Sequence, residues 1–172
     1  MNILFQGKII EVVQDGKREF ARRSPGTRLL IVKDDQILLT KEYREELKDF
    51  DYRLPGGKVF DRLVEYNRFV ESGGDILQVA LEAAKKEARE EVGIETIDIK
   101  HIWTSFCGAT VVWDLYYFVV SQFTTLQAQS LEEGENIKPE WHSFKEAKQL
   151  ALSGKMSEDR SVAVLLRFLN AV

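Results

Sequence analysis

The chain has one cysteine, Cys107, and two histidines, His101 and His142, in 172 residues. One thiol allows no internal disulfide, and so few soft ligands cannot complete a Cys/His zinc site without carboxylate help. A disulfide-stapled secreted scaffold and a structural zinc module are both excluded. Long apolar runs are missing too: the longest, Leu115 to Val120, is far short of the ~20 residues that span a bilayer. Met1 to Phe5 reaches Lys8 before the apolar core of a signal peptide can form. A cytoplasmic protein with no membrane partner is expected. Positive charge is also scarce, with 24 Lys and Arg against 28 Asp and Glu and a net charge of −4. Proteins that live on phosphate attraction carry the opposite balance, so no nucleic-acid partner is expected.

What is present suits one globular domain: 44% hydrophobic and 30% charged residues over a length that one core can serve. Lys8 to Val13 and Glu19 to Arg23 read as short strands around Asp15-Gly16, forming an N-terminal arm over residues 1–23. Thr27 to Lys33 and Gln36 to Lys41 read as a hairpin turning at Asp34-Asp35. Lys41 to Asp51 reads as a charged connector into Leu54-Pro55-Gly56-Gly57, a loop in which backbone can approach a ligand closely. A polar stretch, Asp61 to Gly74, precedes a helix from Asp75, its N-cap, to Val92, stopped by Gly93. Ile97 to Ser105, Val111 to Ser121 and Lys138 to Phe144 read as strands, and Phe144 to Leu152 and Asp159 to Leu169 as helices. The fold class is α/β, a mixed sheet between helices.

The long helix carries the chemistry. At about 100° per residue, Ile76, Ala80, Ala83 and Ala84 share a face with Glu87, Glu90 and Glu91, while Gln78, Glu82, Lys85 and Arg89 lie opposite. A solvated acidic face would lie on the polar side; these three lie on the packing side. Carboxylates at i, i+3 and i+4 repel, so a cation should offset them. Hard oxygen ligands on a rigid element suit magnesium, and a backbone carbonyl at Gly56 can join them. Such a site supports metal-assisted attack on a phosphate or diphosphate.

Gly57 followed by Lys86-Glu87-Ala88-Arg89-Glu90-Glu91-Val92-Gly93-Ile94 resembles the Nudix box, G-x5-E-x7-R-E-U-x-E-E-x-G-U. Tyr43-Arg44, the segment Leu131 to Ile137 with its glutamates, Ser153 to Met156 and the final helix are similar to ADP-ribose pyrophosphatases of that family. The resemblance implies a Nudix-type α/β/α sandwich that hydrolyses a nucleoside diphosphate linked to another moiety, ADP-ribose or another nucleotide sugar. It implies Mg2+, with Mn2+ as a substitute, held by Glu87, Glu90, Glu91 and the Gly56 carbonyl. It also implies a general base in the acidic loop, Glu133 first with Glu132 and Glu135 behind it, an arginine at the substrate (Arg44), and a homodimer exchanging its arm.

The chain departs from the pattern at several places, among them Ala109, where ADP-ribose pyrophosphatases commonly show a proline. Lys86 stands at the box arginine. Gln78 stands at the first box glutamate, 21 positions after Gly57 rather than 6, so an insertion occupies about 60–74. Leu-Pro-Gly-Gly replaces the Leu-Pro-Ala-Gly of ADP-ribose pyrophosphatases, which keeps nucleoside triphosphate pyrophosphohydrolysis as an alternative; a non-catalytic nucleotide-binding module is another. A ladder of Glu82, Lys86 and Glu90, each four apart, is expected to replace the usual brace. Phe106, in the loop after a strand, is a candidate wall of a base or sugar pocket, and Tyr66, Asn67, Arg68 and Phe69 suit either a lid or a disordered insertion. Trp103, Trp141 and Cys107 are expected in the core, and His101 and His142 as surface or packing residues.

Overall fold

A computed structural model describes residues 1–126, 128–131 and 136–172. The arm holds β1 (Asn2–Gln6), β2 (Glu11–Asp15) and β3 (Arg18–Arg22). The body runs through β4 (Gly26–Lys33), β5 (Gln36–Arg44), β6 (Asp49–Arg53), α1 (Leu63–Ser72), α2 (Ile76–Val92), β7 (Ile94–Ser105) and β8 (Val111–Val112). It ends with β9 (Leu115–Thr125), β10 (Ile137–Ser143), α3 (Phe144–Leu152) and α4 (Asp159–Leu169).

The larger sheet has the order β10-β5-β4-β9-β7, with β6 also paired to β5. Strands β4 and β9 are parallel and its other pairs are antiparallel. Alternation along the central strands divides the core. Leu29, Ile31, Tyr116, Phe118 and Val120 point to one face, where Ala80, Ala84, Ala88 and Val92 of α2 are buried against them. Leu30, Ile37, Leu39, Leu115 and Tyr117 point to the other, against Ala147 and Ala151 of α3 and Val164 and Leu165 of α4. This is the α/β/α sandwich expected from the sequence. Alanines every fourth residue bring the α2 backbone close to the sheet, and Asp75 caps the helix through Leu77 N–H at 2.9 Å. Gly93 closes it in the left-handed region, at φ 65°. The hairpin between β4 and β5 turns on Asp34 and Asp35 with φ of 50° and 59°, the double positive φ of a type I′ turn.

Several local expectations are corrected. Lys8 to Ile10 is a turn, closed by Gly7 N–H to Ile10 O at 2.8 Å, with β1 before it and β2 after. Lys41 to Asp51 is a second hairpin rather than a connector: β5 continues to Arg44 and pairs with β6 through Arg44↔Asp49 to Thr40↔Arg53, turning at Lys48 with φ 52°. Trp103 and Trp141 are 46% and 39% exposed, because they sit on the two edge strands β7 and β10; Arg167 covers the Trp103 ring at 4.8 Å and Phe123 stacks on Trp141 at 6.0 Å. Cys107 is exposed. It lies in the loop joining β7 to β8, which the core does not reach.

The arm forms a four-stranded sheet, β1-β2-β3-β8, the last pair parallel. Its Glu11 is fully buried and accepts from Arg22 Nε at 2.7 Å and from Asn67 Nδ2 of α1 at 3.0 Å. The segment 60–74 thus holds an ordered helix whose Asn67 and Tyr66 are turned to the arm, the latter ring lying 6.0 Å from the Arg22 guanidinium.

Candidate functional site

The loop Leu54 to Gly57 is tied to the start of β4. Leu29 N–H donates to Pro55 O at 2.8 Å and Thr27 N–H to Gly57 O at 2.9 Å, so the Gly56 peptide lies between two anchored carbonyls. Gly56 has φ 146°, and a Cβ there would stand 2.1 Å from the Thr27 carbonyl oxygen. Its N–H donates to Glu91 Oε2 at 2.7 Å. A Cβ on Gly57 would stand 1.9 Å from Glu87 Oε1. The two glycines therefore let the loop touch two carboxylates of α2 directly.

These close approaches separate two effects. Gly56→Ala meets backbone and an unfavourable φ, so it should destabilise the fold by about 1–3 kcal/mol or more. Gly57→Ala meets a movable carboxylate, so it should displace Glu87 and reduce turnover about tenfold or more at a much smaller cost in stability. Thermal melts and kcat measured on both variants check this: the larger fall in Tm belongs to Gly56→Ala.

Around the loop lies an open cleft of about 190 Å³. Glu87, Glu90 and Glu91 line it from α2, beside Gly56 and Gly57. Arg44 and Arg53 line it from β5 and β6, with Arg28 and Lys58 nearby. The carboxylates sit half-buried at the margin of the alanine stripe, where packing against the sheet gives way to solvent. The cleft therefore has an acidic wall and a cationic wall, the one suited to a metal and the other to phosphate oxygens. Among the described residues, no three His, Cys, Asp or Glu side chains converge as a closed ligand set. The oxygen donors have the hard chemistry that magnesium prefers, and the missing Cβ at Gly57 lets the Glu87 carboxylate sit directly against the loop.

Each guanidinium of the cationic wall is held by acid. Arg28 is buried and grips Glu158, at the start of α4, through Nε and Nη2, both at 2.7 Å. Burial alone would push the Glu158 carboxyl up; the Arg28 fork overrides it and holds the carboxyl down at about 2. Arg44 is bonded to Glu42 at 2.9 Å and Glu46 at 3.0 Å. Burial works against its charge, and those carboxylates more than restore it, raising its pKa. Arg53 Nε donates to Asp51 at 2.5 Å.

The expected Glu82–Lys86–Glu90 ladder is corrected. Glu82 pairs with Lys85 at 2.9 Å and accepts from Gln78 Nε2 at 3.3 Å, on the outer side of α2, while Lys86 pairs with Glu90 at 3.3 Å. Lys86→Met should therefore weaken magnesium activation clearly more than Lys85→Met, although each removes one charge from adjacent positions. Equal effects in magnesium titrations of activity would contradict a role for Lys86 in holding Glu90.

Phe106 is 73% exposed and lies outside the cleft walls; its loop runs to Thr110, whose carbonyl accepts from Ala21 N–H of the arm. Glu132, Glu133 and Glu135 lie outside the described residues. The chain leading to them is tied to the site end of α2, where Ser130 N–H donates to Glu90 O at 2.9 Å and Gln129 Nε2 to Glu91 O. Sequence reasoning passed over Arg53, Lys58 and Asp61. The Leu-Pro-Gly-Gly loop was the available signal for the first two, which flank it closely in the chain.

A NUDIX domain model matches residues 22–164. Among solved structures, one described as an ADP compounds hydrolase superposes with a TM-score of 0.65 at 18% identity, covering 97% of this chain and 94% of that one. No curated protein matches.

Proposed function

Because the chain belongs to the Nudix hydrolase family, we propose that it cleaves the diphosphate bond of a nucleoside diphosphate linked to another moiety, ADP-ribose or another nucleotide sugar. The products are a nucleoside monophosphate and a sugar phosphate. The observation that carries this reading is the two-walled cleft, with α2 carboxylates facing Arg44, Arg53 and Lys58. The superposed ADP compounds hydrolase supports the substrate class.

Glu87, Glu90, Glu91 and the Gly56 carbonyl would hold Mg2+, with Mn2+ as a substitute. When bound, the ion lowers the pKa of an attacking water and offsets charge on the departing phosphate. The chain's own residues do the rest. Arg44, Arg53 and Lys58 orient the phosphate oxygens. The Gly56 N–H fixes one oxygen of Glu91, and Glu133, or its neighbours Glu132 and Glu135, takes the proton from water. The protein works as a homodimer joined through the arm, where Ile3, Leu4, Phe5, Ile9 and Ile10 are exposed apolar residues that a second copy can cover.

A panel of nucleotide sugars and nucleoside triphosphates with magnesium, with products resolved by chromatography, tests the activity. Nucleoside monophosphate with sugar phosphate supports it. Pyrophosphate released from triphosphates as the main product supports the alternative, and ligand binding without turnover would show a binding module.

A further inference from the structure

A second pocket, of about 120 Å³, adjoins the cleft and shares with it Arg28, Gly56, Gly57 and Lys58. It lies where the chain passes twice from the small sheet to the larger one. Residues 23–25 join β3 to β4, and residues 113–114 join β8 to β9. The two links run side by side, held by Arg23 N–H to Val112 O at 3.2 Å and Gly26 N–H to Asp114 O at 2.9 Å. From these links Arg23 and Trp113 line the pocket. The Arg23 guanidinium lies 4.3 Å from the centre of the Trp113 ring. Arg160 of α4 lies 4.4 Å from the same ring and donates through Nη1 to Trp113 O at 2.7 Å.

The charge of this pocket runs against that of the chain. Its lining holds Arg23, Arg28 and Lys58 and no Asp or Glu, in a protein of net charge −4. Arg28 is matched by Glu158. Among the described residues, neither Arg23 nor Lys58 has an ion-pair partner, and Nη2 of Arg160 is buried without a hydrogen bond. Burial, with the charges of Arg28 and Arg160, pushes the Arg23 pKa below the usual arginine range. Unmatched cations that the fold keeps together favour an anion, and guanidinium and ammonium groups are donors well suited to phosphate oxygens. We propose that this pocket binds a phosphoryl group, with Arg23 as its own donor and Lys58 shared with the cleft. The group is either borne by the substrate beyond the scissile diphosphate or is free phosphate. The substrate-borne source rests on the proposed hydrolysis; the pocket's affinity for phosphate does not.

Inorganic phosphate titrated calorimetrically into the metal-free protein, in excess chelator, tests the pocket. Saturable binding is expected, weakened about tenfold by Arg23→Gln. The loss should be smaller in Arg23→Lys, which keeps the charge, and slight in Arg18→Gln, which removes an exposed arginine from the same arm. No binding overturns the proposal. So does binding that falls with Arg44→Gln and is unchanged in Arg23→Gln, since that seats the phosphate in the cleft. Turnover with Mg2+ then separates the two sources. A preference for ADP-ribose 2′-phosphate over ADP-ribose that is lost in Arg23→Gln assigns the phosphoryl group to the substrate. Equal turnover of the two, with inorganic phosphate altering ADP-ribose hydrolysis in the parent and not in Arg23→Gln, assigns it to free phosphate. Phosphate binding by a protein that hydrolyses neither compound would strike the proposed activity and leave the pocket in place.

Discussion

Glu87→Gln and Glu91→Gln are each expected to lower turnover by roughly 100-fold or more while the fold persists, because in the proposed site several kcal/mol of charge stabilisation depend on the ligands of the cation. Both side chains project from the last turns of α2 into the cleft, outside the buried stripe of Ala80, Ala84 and Ala88 that holds the helix to the sheet. Replacing either by glutamine leaves that packing unchanged. It also removes one of three like charges spaced i, i+3 and i+4, whose repulsion costs a few tenths of a kcal/mol per pair. The metal-free proteins should therefore melt at the same temperature as the parent or slightly above it. At Glu91 a glutamine oxygen can still accept the Gly56 N–H, so the loop keeps its anchor and the loss falls on chemistry. Near-parental kcat for both variants in magnesium would remove these residues from the metal site.

The second large effect concerns stability. Glu158 and Arg28 are 130 positions apart and join the start of α4 to β4 through two bonds of 2.7 Å. Their side chains are 13% and 10% exposed. Glu158→Gln should cost about 3–5 kcal/mol at neutral pH, since it leaves the buried Arg28 guanidinium without its counter-charge. For a chain of this size that corresponds to a fall in Tm on the order of 10 °C.

The pH dependence follows from the folded-state value of about 2, below the ordinary 4.5 of a glutamate. A depressed carboxyl contributes stability that is fully present above about pH 4.5 and is lost as pH falls toward 2. The gap between parent and Glu158→Gln should accordingly be constant from neutral pH down to about pH 5 and narrow below it. Denaturant melts at pH 7 and pH 3 check this. A gap that stays the same at both would show that the pair carries no linked charge.

Local signals make much of this legible in the sequence. The Asp34-Asp35 turn, Asp75 and Gly93 at the ends of α2, and the alanine-to-glutamate stripe all rest on spacings of one to four residues, which periodicity reads directly. The stripe runs further than the residues that the spacing picks out: Ala83 is half-buried and packs against the core as expected, and Ala88, beside Glu87, joins it wholly buried. What escaped is set by distant pairing. Asp49 to Arg53 alternates weakly and forms β6 because β5 offers it an edge. The 60–74 segment holds a helix, Leu63–Ser72, where polar composition gives no core-facing pattern, and its Asn67 finds Glu11, 56 positions away. The choice of Lys85 rather than Lys86 by Glu82 depends on which side of α2 faces the cleft, which spacing alone leaves open since both reaches are permitted.

Incubation of the purified protein with ADP-ribose, in Mg2+ and in excess chelator, with products separated and quantified, tests the central claim most directly. AMP and ribose 5-phosphate in equal yield with Mg2+, and neither with chelator, is the result expected if, as proposed, the acidic wall holds a cation and the cationic wall the diphosphate. Intact ADP-ribose in Mg2+, together with no hydrolysis of other nucleoside diphosphate compounds, would contradict it.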